Sequence, residues 1–520
     1  MSFHYPPYHN PPAIHAAKQA ATSKTITTSD SSQNTPSIIL NLMTFNIWRG
    51  GDEVNLSMVK DAILKANADI IAIQESDSNL IRLAELLGWS HINTRTQILS
   101  KYPLFDPENS GLGIAVKGEG SFSFPYTYVE VLPGRIIAIA NVHLISESDG
   151  AEAVRDGMSA DEVIANEKKL RVSQLQPVFQ ALSGLEEKGI PVFLMGDFNS
   201  PSHQDWTIQA AKIRKQVKFP LEWPESKALT ELGFSDSYRE VYPDPVANPG
   251  FTWTAGYPFP RIGSNETINR IDYIWRKGRS ETLNSFIVGE AGIHMFNGEH
   301  INKDVKYTVT PWPSDHRAVV SNFRIKPALA PLMMTINKRL VTSGEILRLQ
   351  FILNREDLTL AVLPANETTQ KEFIFSKYLG KDFDRTTFVL GTQKLIPGAY
   401  KAILVDSNNR ELNKVPFWVI AKGELPALTV SQKSFKEKEP ITVRWKNAPG
   451  NKWDWIAIYK AGQSDVENYL TYLYINASIE GELVFDDQVL ENPLEKGEYE
   501  LRLLSNDSFI ELANTTFSVK

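Results

Sequence analysis

Apolar and polar positions follow two different rhythms along this chain. From Ser37 to about Lys326, short apolar runs alternate with amphipathic stretches. "SIILNLMTFNI", "DIIAIQES", "RIIAIANVHL" and "IPVFLMGDFN" read as buried strands. So do "GLGIAVKG", "GFTWTAG", "NRIDYIWR" and "HRAVVSNFRI". Between them, residues 55–68 carry Val59, Ile63 and Leu64 on one helical face. Residues 165–185 place Leu170, Leu175, Val178 and Leu182 at helical spacing. Strands alternating with helices predict an α/β domain. After "RIKPALAPL" the rhythm becomes short alternating runs broken by turn residues, without a long helix. That is the pattern of antiparallel sandwiches.

The second part also repeats itself. "PGAYKAILVD" parallels "KGEYELRLLS", and "NKVPFWVI" parallels "ANTTFSV". The period of roughly 95 residues is about one sandwich domain. Two β-domains are therefore expected at 331–423 and 426–520, joined by "AKGELPA", after an α/β domain at 37–326. Residues 1–36, rich in Pro, Ser, Thr and Asn, read as a disordered leader without the apolar core of a secretory signal.

Composition narrows the chemistry. With no cysteine, disulfides, thiolate zinc and thiol nucleophiles are excluded, and any metal must sit on oxygen or imidazole. The net charge of −7 argues against coating nucleic acid by bulk positive charge. It leaves open an enzyme that meets a polyanion at one local site. No run is long enough to span a membrane. Compartment stays open between an extracytoplasmic location, placed first, and a cytoplasmic one.

Several apolar runs in the α/β part end or begin at an acid, an amide or an imidazole: Asn46, Glu75, His143, Asp197 with Asn199, Asp272, and Asp315 with His316. One such residue is ordinary turn chemistry. The whole set shares one vocabulary, suited to a hard cation and to proton transfer.

In order, "TFNIW", "IIAIQES", "ILSKYPL", "NVHL", "GDFN", "RIDYIW" and "SDHRAV" resemble the motifs of the endonuclease/exonuclease/phosphatase superfamily. The resemblance implies a four-layered αββα sandwich that hydrolyses phosphate esters with a divalent ion: Mg²⁺, or Mn²⁺ or Ca²⁺. It implies Glu75 as metal ligand, with Asn46 as ligand or phosphate contact, and Asp315 as a second ligand or a hydrogen-bond partner. Asp197 would orient or deprotonate the attacking water. Asn199 would share its face if the chain stays extended, and would hold the phosphate or position Asp197. His316 would contact the phosphate with its tautomer fixed by Asp272, and His143 would meet the phosphate or the leaving group.

The phenylalanine in "GDFN" and the form "RIDY" depart from inositol polyphosphate 5-phosphatases and are closer to nuclease-like and sphingomyelinase-like members. A phosphodiesterase is expected, acting on nucleic acid first, on phospholipid or sphingomyelin second, with a phosphomonoesterase third. The competing class is an inactive domain used for binding or adhesion, and the complete acid, amide and imidazole set argues against decay. "DWIAIYK" resembles a strand of immunoglobulin-like SKICH domains, so the β repeats are read as spacers or as an arm for a protein or surface partner. Arg49, Arg171, Arg261 and Arg270 are read as ion-paired, and Trp206 and Trp253 as packing or stacking residues.

Overall fold

A computed structural model of the chain describes residues 36–107, 126–255, 262–263, 266–353, 355–369, 371–380, 387–490 and 492–520. The leader to residue 35, the "GLGIAVKG" run and Arg261 lie outside the described residues.

Two sheets dominate the α/β part. One runs in the order Val305–Val309, Ser280–Glu290, Ala318–Ile325, Ile38–Asn46, Ile70–Gln74, Ile98–Ser100, His91–Asn93. The other runs Leu104–Phe105, Tyr126–Leu132, Arg135–His143, Val192–Asp197, Asp272–Lys277, Ser235–Asp236. Their strands are apolar on both faces because both faces are covered. Leu40 and Leu42 point at the other sheet and meet Ile137, Ile139, Phe193 and Met195. Met43 and Phe45, at alternate positions, point outward onto Val59, Ala62 and Ile63 of the helix Leu56–Lys65. On the far side, Leu175, Val178 and Leu182 cover Ile136, Ala138 and Leu194. The result is helix, sheet, sheet, helix: the four layers expected.

Local differences have local causes. Asn55 is not the first helical residue but the cap, accepting from the Ser57 N–H at 2.9 Å. The stretch 165–185 is not one regular helix. A π turn, Lys168–Val172, separates Ala160–Glu167 from Ser173–Glu187. At that turn the Arg171 guanidinium is buried, donating to Glu167 Oε1 at 2.6 Å and to the carbonyls of Ile145 and Glu147. "GFTWTAG" forms no described strand. Trp253 instead makes isolated bridges to Asn269 and His316.

The β part forms two sandwiches of matching strand order. In the first, Met333–Ile336, Ile346–Ile352 and Thr387–Gly391 face a sheet ordered Leu340–Thr342, Glu411–Ile420, Gly398–Val405, Thr359–Pro364, Phe375–Tyr378. In the second, Ala427–Val430, Ile441–Lys446 and Gly481–Phe485 face Ser434–Phe435, Glu511–Val519, Gly497–Leu504, Trp455–Lys460, Thr471–Tyr474. The repeat extends to detail. Tyr400 donates to the Ile396 carbonyl and stacks on Phe417, while Tyr499 donates to the Glu495 carbonyl and stacks on Phe517. Each tyrosine ties the start of its strand to the loop before it, much like the tyrosine corner of immunoglobulin sandwiches. Ala328–Leu329 adds to the Arg135–His143 strand, and Met333 and Ile352 join the core around Phe105. Gly450 of the second sandwich lies against the Trp418 ring of the first.

The glycine of "MGDFN" has a steric reason. At Gly196, φ is +143°, and a Cβ would stand 1.9 Å from the Val142 carbonyl oxygen. Gly196→Ala is therefore expected to cost more than about 3 kcal/mol, read as a fall in the thermal or urea midpoint. A midpoint unchanged from wild type would contradict this close approach.

Candidate active site

Six strands bring their site-bearing ends to one edge of the sandwich. Asn46 ends its strand, and Glu75 follows Ile70–Gln74, its parallel neighbour. Asp315 and His316 precede Ala318–Ile325, which flanks the Asn46 strand on its other side. In the second sheet Asp197 is in register with His143 on one neighbour and with Asp272 on the other. Each sheet thus supplies half of the set, and the halves meet across the gap.

Asp197 Oδ2 is the meeting point. Asn46 Nδ2 donates to it at 3.0 Å and to Glu75 Oε1 at 2.9 Å. His316 Nε2 stands 3.6 Å away and His143 Nε2 3.7 Å away. His143 Nε2 is also 4.0 Å from Glu75 Oε1. The other His316 nitrogen, Nδ1, is 3.0 Å from Asp272 Oδ2. Glu75 Oε2 accepts the Arg49 N–H at 2.9 Å. Trp48, Arg49, Glu75, Asp77 and Asn199 all hold positive φ. That cluster of left-handed residues at the strand tips is backbone strain concentrated at the site.

Asn199 departs from the expected geometry. The strand ends at Asp197 and Asn199 has φ +47°, so extended alternation does not place its side chain. Its backbone N–H donates to Asp197 Oδ1 at 2.9 Å, and its amide donates to the Leu144 carbonyl at 2.8 Å. It therefore orients Asp197 and fastens the turn. Phe198 between them packs into the core edge-to-face on Tyr273.

Burial and charge work against each other here. Burial disfavours a charged His316, but Asp272 and Asp197 outweigh it and hold its pKa up to about 10. Burial likewise opposes a charged His143, and Asp197, Glu75 and Glu467 outweigh it and raise its pKa. Asp315 is pushed up to about 7 by burial, against His316, with Glu75 and Asp197 adding repulsion. Its Oδ1 is buried and accepts no hydrogen bond among the described residues. An orphaned carboxylate oxygen that is repelled by Glu75 suits a divalent cation between them. Asp197, Asp272 and His316 also offer ligand atoms within 4.8 Å of one another. There, however, both imidazole nitrogens already face carboxylates, which favours a ring holding protons over a ring holding metal.

The Endonuclease/Exonuclease/phosphatase family model matches residues 43–316, more than half of the chain. The chain belongs to the endonuclease/exonuclease/phosphatase family. Membership makes it a hydrolase acting on phosphate esters. An uncharacterised protein of Caenorhabditis elegans is 32% identical over 305 residues, 55% of this chain and 91% of that protein. Solved structures of similar fold include an endonuclease/exonuclease/phosphatase from Beutenbergia cavernae, 15% identical, covering 73% of this chain and 99% of that one, with a TM-score of 0.33. Another is an AP endonuclease from Archaeoglobus fulgidus, 16% identical, covering 54% and 98%, with a TM-score of 0.34. Residues 428–519 match the SKICH domain.

Supporting residues were less visible in the sequence. Gln74 donates to Asn141 Oδ1 at 2.7 Å and to Thr44 Oγ1 at 3.1 Å, while Asn141 donates to the Ile73 and Thr96 carbonyls. This polar bridge joins the two sheets beneath the site. Its only sequence trace is a polar residue interrupting each apolar run. Ser314 donates to the Asn46 carbonyl and accepts the His316 N–H, and Thr252 accepts the Asp272 N–H. Arg270 is sequestered between Asp205 and Asp236, and Arg49 pairs with Glu53. Trp206 is core, edge-to-face on Trp223.

His316 gives a direct check. Its raised pKa means that its contribution to stability is complete below its ordinary 6.5 and is lost as pH climbs through about 10. Metal-free protein followed by histidine NMR titration is expected to show this ring protonated at neutral pH. Asp272→Asn is expected to lower its midpoint, and an unmoved midpoint would show that Asp272 does not hold it.

Proposed function

We propose that the chain is a divalent-metal-dependent phosphodiesterase. The observation that supports this reading most is the convergence on one oxygen, Asp197 Oδ2, of an amide and two imidazoles from three other strands. Glu75 and Asp315 would hold the ion, with Asn46 clamping Glu75 in place. The bound ion would supply charge neutralisation on the phosphoryl oxygens and stabilise the leaving oxygen.

The residues of the chain do the rest. Asp197, held by Asn46 and by the Asn199 N–H, positions the attacking water and takes its proton. His316, kept charged by Asp272, faces the phosphoryl oxygens as they gain charge. His143, beside both Asp197 and Glu75, serves the phosphate or the leaving side. Asn199 acts through Asp197 and not on substrate.

Hydrolysis of bis(p-nitrophenyl) phosphate tests this. Turnover is expected with Mg²⁺ or Mn²⁺, to vanish with EDTA and to return on re-addition. Asp197→Ala and His316→Ala are each expected to lose about a hundredfold or more in kcat. Glu75→Gln is expected to raise the metal concentration needed for half-maximal rate. Metal-dependent turnover that survives in both alanine variants would sink the assignment.

A further inference from the structure

Two turns carry the second sheet's share of the catalytic edge. One leaves His143 and runs to Asp149; the other follows Asp197 and runs to Ser202. The Asn199 amide ties them together at the Leu144 carbonyl. Behind them lies a buried group of charges that the catalytic set does not use. Arg171 donates through Nε to the Ile145 carbonyl at 2.9 Å and through Nη2 to the Glu147 carbonyl at 3.1 Å. Gln174 Oε1 accepts the Ile145 N–H at 3.0 Å. The first turn is thus fastened to the π turn Lys168–Val172 and the helix that follows it. The second turn is fastened by Ser200, whose hydroxyl donates to Glu225 Oε2 at 3.1 Å.

The two fastenings meet. Arg171 Nη1 donates to Glu167 Oε1 at 2.6 Å. The helix Pro224–Glu231, with Glu225 in its first turn, packs on both the helix Ala160–Glu167 and the π turn. Gly150 marks how closely these elements come. A Cβ there would stand 2.6 Å from Glu167 Oε1 and 2.7 Å from the ring of Trp223, two residues before Glu225. Glu167, Arg171, Ser200 and Glu225 are each 1% exposed or less. Each glutamate has one oxygen engaged, Glu167 Oε1 with Arg171 and Glu225 Oε2 with Ser200. The other oxygens, Glu167 Oε2 and Glu225 Oε1, are buried and meet no hydrogen-bond donor among the described residues.

Charge decides what joins them. Arg171 is the cation acting on both glutamates, and also on Asp149, the cap of the helix Gly150–Arg155, where Glu152 acts as well. Two buried carboxylates against one arginine leave a negative charge unpaired. A proton held between the two free oxygens removes that charge and satisfies both atoms. Burial pushes both carboxyls above their ordinary range, in the same direction. We propose that Glu167 and Glu225 share one proton, and that this pair with Arg171 is a strut that sets the spacing of the His143 and Asp197 turns. Glu167, Arg171 and Glu225 are then positioning residues, acting through the two turns and not on substrate. The strut stands on its own geometry; its effect on turnover rests on the phosphodiesterase reading.

Two measurements on the metal-free full chain need no turnover. A shared proton raises the folded-state pKa. The stability it gives is complete below the ordinary glutamate value of 4.5 and is lost as pH rises through the raised one. Glu225→Gln carries that hydrogen on its amide at every pH. Its thermal midpoint is therefore expected to gain on wild type by about 4 °C or more between about pH 5 and about pH 8.5. A gap that stays constant with pH overturns the shared proton. The His143 ring resonance is expected to move in Glu225→Ala and in Ser200→Ala, and to return in Glu225→Gln. With Mg²⁺ and bis(p-nitrophenyl) phosphate, Glu225→Ala is expected to lose about tenfold in kcat with KM within about twofold, Ser200→Ala about threefold in kcat, and Glu225→Gln to regain most of the loss. Ser200→Ala carries the test alone if Glu225→Ala does not fold. An unmoved ring or an unchanged kcat in the folded alanine variants overturns the positioning role. If wild type turns over no diester, the phosphodiesterase reading fails, and the midpoints and the ring resonance still decide the strut.

Discussion

A carboxylate buried at the junction of two sheets must be surrounded by donors or it will not stay charged. Around Asp197 an asparagine amide and a backbone N–H donate, and two imidazoles stand 3.6 and 3.7 Å away. Much of the surrounding structure serves that arrangement. Gly196 lets the Asp197 strand pass the Val142 carbonyl. Gln74 and Asn141 lock the sheets together just below. Ser314 and Thr252 set the backbones of His316 and Asp272. Removing a donor leaves an uncompensated buried charge, which costs far more than the bond itself contributes.

The same arrangement divides the acids by task. Asp272 faces a histidine, and in the proposed mechanism Asp197 would serve the reacting centre and Glu75 with Asp315 would hold the cation. The division follows from position: Asp272 and Asp197 are cross-strand partners, so a ring placed at their tips sees both. Asp315, three positions before its strand on the opposite sheet, lies in the field of Glu75 as well as of His316. Burial opposes a charge on either histidine; Asp272 and Asp197 outweigh it at His316 and hold its pKa up to about 10, and Asp197 and Glu75 outweigh it at His143 and raise its pKa.

The β-sandwiches add a constraint of another kind. They share one topology and one tyrosine-to-carbonyl tie. The first holds to the flank of the α/β part through Met333 and Ile352.

Much was legible without coordinates. Apolar runs flanked by amphipathic helices fixed the α/β class, because strands covered on both faces must be apolar throughout. The ordered motifs identified the family and named the strand-end residues Asn46, Glu75, His143, Asp197, Asp272, Asp315 and His316 that the fold brings to one edge. Periodicity failed where backbone geometry is irregular: at the π turn around Arg171, at Trp253, and at Asn199, whose positive φ breaks the alternation assumed for a strand. Polar residues such as Gln74 and Asn141 were read past, since a lone amide in an apolar run has no partner visible in one dimension. Local order determines which face of a strand a side chain takes. Which strands face each other, and hence that Asp197 meets His316, depends on long-range packing and charge compensation, and only the tertiary structure decided it.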